Sequence, residues 1–177
     1  MKTVLFNIFL LLPHMLSAQA CGYKEYDSLP QLGWAQLTDY ESFSIGKFTL
    51  RTKMDSILSW MGNPIGTEKG WGLNSEDIDV LIYSEWMFTC IKFPAGSNSK
   101  IELMSCCQKG QRTPQGFYVG MSLTEVRALL GKSLNWLESP TSLTGKIIVS
   151  TDAGAPRMTL VLLNGTLVQI KIWGGYG

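Results

Sequence analysis

The chain has 177 residues, 45% of them apolar and 16% charged, with a formal net charge of +1. That apolar share excludes a disordered chain, and near-neutrality leaves no electrostatic case for a nucleic-acid binder. The single histidine, His14, sits in the N-terminal segment described next, so no histidine remains downstream for metal or catalytic chemistry.

Met1 to Ala20 reads as a secretory signal peptide. Lys2 is its positive region, Val4 to Leu12 its apolar run, Pro13 its stop, and Ala18-Gln19-Ala20 the small-x-small cleavage pattern. The run is far shorter than the ~20 residues that span a bilayer as a helix. Cys21 follows immediately, so lipidation of Cys21 stands as an alternative to plain cleavage, against the unfavourable Gln19. The expected location is periplasmic or secreted, with membrane contact only if Cys21 carries a lipid. Without the leader the chain balances 14 acidic residues with as many basic ones, since only Lys2 is removed.

Residues 21–40 read as an N-terminal extension, 41–109 as a first repeat unit and 110–177 as a second. An offset of 69 residues aligns the units without a gap: Met54, Ile57, Met61 and Gly62 match Leu123, Val126, Leu130 and Gly131. Ile91 and Phe93 match Leu160 and Leu162, and Ile101 and Leu103 match Ile170 and Ile172. Each unit opens on an extended lead-in containing Phe48 or Phe117. A short helix follows, its apolar residues at helical spacing. In the second unit Ser122 and Glu125 form a capping box and Gly131 the stop; in the first, Gly62-Asn63-Pro64 ends the helix. Three strands come next: Ile78–Tyr83, Trp86–Phe93 and Lys100–Cys106, then Lys146–Thr151, Arg157–Leu163 and Leu167–Trp173. Asn164-Gly165 reads as a type I′ hairpin turn. The polar stretch Glu68 to Asp79 reads as a solvated connector. The fold class predicted is α+β, two tandem helix–three-strand repeats forming antiparallel sheets with helices on one face.

Strand alternation assigns the faces. The repeated set Ile91, Phe93, Ile101, Leu103, Leu160, Leu162, Ile170 and Ile172 is expected beneath the helices. The opposite face then carries Trp86, Phe88, Cys90, Lys92, Glu102 and Met104, with Arg157, Thr159, Val161, Gln169, Lys171 and Trp173 in the second unit. Aromatic residues, Met and Arg among charges resemble a protein interface in composition. Candidate partner-binding residues are therefore Trp86, Phe88, Lys92, Glu102, Met104, Arg157, Lys171 and Trp173; the competing reading has the N-terminal segment or long loops covering them.

Four cysteines follow the leader: Cys21, Cys90, Cys106 and Cys107. Export permits disulfides, and four cysteines allow three pairings. A vicinal Cys106–Cys107 bridge is strained, which leaves Cys90 for one of them and Cys21 for the other. Cys90 and Cys106 fall on one face of neighbouring strands, which favours Cys90–Cys106 and Cys21–Cys107. Ligand spacing for a metal is absent, no cofactor motif occurs, and a catalytic cysteine would lack its base. No nucleophile elbow, Walker or zincin motif is present, so the chain is read as non-enzymatic.

The string Phe117-Tyr-Val-Gly120-Met121-Ser122-Leu123-Thr-Glu125-Val126-Arg-Ala-Leu-Leu130-Gly131 resembles the start of the unit shared by the β-lactamase inhibitory protein family and the BamE (OmlA) outer-membrane assembly lipoproteins. The tandem spans about residues 41–175, and the first unit departs from the motif, with Arg51, Thr52 and Lys53 in place of Gly120, Met121 and Ser122. The resemblance implies a non-enzymatic protein that binds another protein over its sheet face, and it transfers no inhibitory residue. The function expected is an exported module, inhibitor-like or immunity-like, recognising a protein in the cell envelope. The alternative is a structural lipoprotein anchored through Cys21.

Overall fold

A computed structural model describes residues 26–37, 43–71, 77–93, 97–137, 143–151 and 156–174. In chain order the elements are β1 (Gln31–Leu37), β2 (Ser44–Ile45), β3 (Phe48–Thr49), α1 (Met54–Met61), β4 (Gly66–Trp71), β5 (Asp77–Ile82), β6 (Trp86–Phe93) and β7 (Ser97–Cys106). Then come α2 (Leu123–Leu130), a 3-10 turn (Gly131–Ser133), β8 (Leu134–Trp136), β9 (Gly145–Thr151), β10 (Arg157–Leu163) and β11 (Thr166–Trp173). Nine strands make one sheet in the order β4-β5-β6-β7-β11-β10-β9-β1-β8, and β2-β3 is a separate small hairpin.

This architecture corrects the α+β expectation. The chain is mostly β, with a single mixed nine-stranded sheet and two α-helices among the described residues. Three strands account for the difference. β4 lies at the sheet edge and carries Glu68 and Lys69 rather than an apolar alternation, as edge strands that resist further pairing do. It pairs antiparallel with β5, so the stretch read as a connector is in part a hairpin. β1 comes from the segment read as an extension and runs parallel to β9, antiparallel to β8. β8 is three residues long, too short for a periodicity signal.

The helices form where their patterns place them. Ser122 accepts from the Glu125 N–H at 3.3 Å and the Glu125 carboxylate accepts from the Ser122 N–H at 2.7 Å, closing the capping box at α2. Hydrogen bonds donated to the carboxylate by the Ser122 hydroxyl at 2.7 Å first and then by its backbone N–H, with the Tyr118 hydroxyl adding a third, hold the Glu125 carboxyl below its ordinary range. Their contribution to the helix start is therefore present at neutral pH and fades as pH falls through that lowered value. Asn164 and Gly165 both take positive φ, 50° and 77°, as a type I′ turn requires between β10 and β11.

One continuous core joins the helices to one face of the sheet. Ile57 of α1 and Leu123, Val126 and Leu130 of α2 share it with Phe88, Met104, Ile147, Leu160 and Ile170. Over β6 the packing is aromatic: Trp86 stacks on Phe88 at 5.5 Å and 10°, and Phe48 meets both rings at 4.9 Å. Each such side chain stabilises the fold by roughly 1.5–3 kcal/mol through burial.

Candidate functional site

The core face of the second half is the one the alternation predicts; in the first half Trp86, Phe88 and Met104 turn into the core instead of away from it, while Ile101 lies in the core as expected. Met158, Leu160, Leu162, Ile170 and Ile172 are wholly buried in the core. In the first half the core positions are Trp86, Phe88, Cys90, Ile101, Met104 and Cys106. Trp86, Phe88 and Met104 are thus removed from the candidate interface: they are 3%, 0% and 0% exposed. Trp86 also donates from its indole to Gln108 Oε1 at 2.8 Å. The cause is a register error. Phe88 pairs with Met104 as Leu160 pairs with Ile170, which makes the outgoing strands 72 residues apart and the returning strands 66. An offset of 69 is three residues away from each, and an odd slip turns every side chain to the other face.

A bulge returns Ile101 to the core side. Thr89 faces Leu103 while Cys90 faces Ile101, so Glu102 is the extra residue of β7 and alternation breaks there. Glu102 accepts a backbone hydrogen bond from Gly174 at 2.9 Å, and its carboxylate lies against that glycine. It sits beside the end of β11 and is not among the residues that line the groove described below. The side chain of Lys92 lies outside the described residues.

The same register separates Cys90 from Cys106. Cys106 faces Trp86, four residues before Cys90 on β6. At about 3.3 Å per residue the separation is about 13 Å, beyond the ~7 Å that a disulfide can bridge. Both thiols are free and buried, correcting the Cys90–Cys106 pairing. Cys107 is disulfide-bonded, and Cys21 lies outside the described residues. Burial, with the Asp79 charge adding, pushes the Cys90 thiol up to about 12. Burial, with the Glu85 charge adding, likewise takes Cys106 to about 12, against a hydrogen bond with the Gln108 backbone. Since the thiolate is the reactive form, neither is expected to react with iodoacetamide at about pH 8 while folded, and both are expected to do so in denaturant. Mass spectrometry of the alkylated chain checks this, and labelling of either thiol in the folded protein contradicts the assigned burial.

Three of the eight candidates do come together. Arg157, Lys171 and Trp173 project from the face opposite the helices, on β10 and β11, into a groove of about 350 Å³. Cross-strand register builds it: Arg157 faces Trp173, Thr159 faces both Lys171 and Ile148, and Trp173 faces Leu103. The Arg157 guanidinium lies 5.7 Å from the centre of the Trp173 ring, which is 37% exposed. Leu103 and Ile148 supply apolar walls, and Lys146 of β9 adds a third cation.

The segment before β1 crosses this groove, as the competing reading of a covering N-terminal segment expects, although Asp27 itself was not singled out. Asp27 Oδ1 lies 2.9 Å from Lys171 Nζ, and Lys146 Nζ donates to the Asp27 carbonyl at 2.7 Å. Asp27 is 144 and 119 residues from these lysines in the chain. No local pattern could have linked them; only the insertion of β1 beside β9 brings them together.

The arrangement offers cations, an indole face and apolar walls, which suits recognition of a ligand bearing carboxylates. Among the described residues no group of three or more His, Cys, Asp or Glu could hold a metal ion, and no helix is long and apolar enough to cross a membrane. No protein-family model, no curated protein and no solved structure matches the chain.

Proposed function

We propose that the chain is an exported, non-enzymatic protein-binding module of the cell envelope, inhibitor-like or immunity-like in action, and that its partner docks on the groove of the second half. The observation that carries this reading is the convergence of Trp173, Arg157 and Lys171 on one exposed groove. Tryptophan and arginine are the side chains that most often dominate binding energy at interfaces. The earlier resemblance to inhibitory proteins and assembly lipoproteins supports the same class of function, through the Gly120–Gly131 motif alone. The leader pattern at Met1–Ala20 supports export.

The anchored-lipoprotein alternative is the less favoured of the two. Lipidation and disulfide formation compete for one thiol. With Cys90 and Cys106 free and Cys107 bonded, we take Cys21 as the disulfide partner of Cys107. An unmodified, disulfide-linked Cys21 in the intact mass supports this; a diacylglyceryl mass on Cys21 restores the anchored reading.

The direct test is Trp173→Ala. Because Trp173 is partly exposed and outside the core, the change is expected to move the unfolding free energy by no more than about 0.5 kcal/mol. Partner capture from envelope extract is expected to weaken by about 2 kcal/mol, roughly thirtyfold in affinity. Unchanged capture would contradict the groove as the docking site.

A further inference from the structure

We infer that the groove takes the carboxylates of an acidic segment of the partner, and that Asp27 is a built-in occupant of the same cations which the partner must displace. The inference rests on the protein-binding reading above and names the chemistry of the partner.

The charge pattern carries it. Lys146, Arg157 and Lys171 line the groove, and among the described residues Asp27 is the one carboxylate lining it with them. Lys171 is held into the sheet at 24% exposure, while Asp27 remains 65% exposed. The cation is therefore part of the groove and the carboxylate lies on top of it. An exposed ion pair of this kind is weak and is readily exchanged for another carboxylate. The second tie, from Lys146 to the Asp27 backbone carbonyl, holds the strap even without the carboxylate. Loss of the acid alone should thus free Lys171 while leaving the segment in place.

The same features select the occupant. A guanidinium beside an indole recognises a planar carboxylate by hydrogen bonds and offers the adjoining side chain an aromatic face. The apolar walls Leu103 and Ile148 fit a peptide that carries apolar residues next to its acids. A long polyanion would need a basic track, whereas this chain has a net charge of +1 and the groove holds three cations. A short acidic peptide matches the groove in size and sign.

Mass action then gives a test. An internal occupant reduces the apparent affinity by the fraction of molecules in which it sits on the cations. A blocked hexaglutamate peptide is titrated into the full disulfide-bonded chain, followed by the Trp173 indole N–H signal in NMR, assigned with Trp173→Phe. Hexaglutamate is expected to shift that signal, to bind roughly two- to fivefold more tightly to Asp27→Asn, and to bind about tenfold more weakly to Lys171→Gln and Arg157→Gln. Blocked hexalysine and phosphatidylglycerol vesicles are expected to leave the signal in place. Circular dichroism melts of the three variants confirm that each is folded.

No shift with hexaglutamate in either the wild type or Asp27→Asn overturns the acidic partner. Equal affinity of the two overturns Asp27 as occupant. A response to the vesicles in place of the peptide overturns the proposal in favour of a lipid surface. If the peptide fails but Trp173→Ala still loses partner capture, the partner chemistry is wrong and the docking site stands. If capture is also unchanged, both fall.

Discussion

Trp86→Ala is expected to destabilise the fold by about 3–5 kcal/mol, the range for removing a large aromatic side chain from a packed core. The indole contributes in three ways. It is 3% exposed, so truncation leaves a cavity among Phe48, Phe88 and their neighbours. Its stacking on Phe88 and edge contact with Phe48 are lost together. Its N–H leaves Gln108 Oε1 without that donor, which adds to the loss. Urea unfolding followed by far-UV circular dichroism measures the change, with Trp173→Ala as the paired control. No effect at Trp86 would mean the first-half faces are the ones strand alternation gives, and a large effect at Trp173 would contradict its place outside the core. Because the two indoles belonged to one surface on sequence grounds, the pair separates core from interface in a single experiment.

Gly33→Val is expected to destabilise by about 1–3 kcal/mol through overpacking, and to do so locally. A Cβ at Gly33 would stand 2.6 Å from the backbone oxygen of Asn135 and 3.4 Å from side-chain atoms of Leu134 and Trp136. Backbone cannot yield as a flexible side-chain tip can. β8, with three residues at the sheet edge, is the element that must move. Gly145 opposes the entry of β1 in the same way, its absent Cβ leaving room for Leu32 and the Pro30 carbonyl. Hydrogen exchange by mass spectrometry is expected to show faster exchange in β8 and β1 and little change in β5–β7. Uniform loss of protection across the sheet would contradict a local role.

What the sequence disclosed follows the range of the interactions involved. α1 and α2 were legible to the residue because their signals are local: apolar spacing, the Ser122–Glu125 box and the glycine stops. β6, β10 and the Asn164-Gly165 turn were legible for the same reason. The faces of the second half followed from alternation. Those of the first half failed because compensating differences in loop length hid an odd slip on each strand, and the bulge at Glu102, which returns Ile101 to the core side, gives no sequence signal. β1 was illegible in principle. Its partners lie at the far end of the chain, and Gly33 and Ala35, small because neighbours press close, carry little hydrophobic pattern. At the groove, Arg157, Lys171 and Trp173 were found because they lie on regular strands. Asp27 was missed because its place depends on β1.

The parallel insertion of β1 also decides how the protein can be divided and in what order it can be completed. Synthesis makes β1 before any of its partners, yet its slot exists only when both β8 and β9 are present. Loop-closure entropy must be met over a chain segment of more than a hundred residues before that contact stabilises anything. The N-terminal strand is therefore among the last elements to be seated. A cut between the halves leaves the C-terminal piece with an open slot and the N-terminal piece with an unpaired strand. Added together, the two pieces have a route to reassembly, since the missing strand of one is carried by the other.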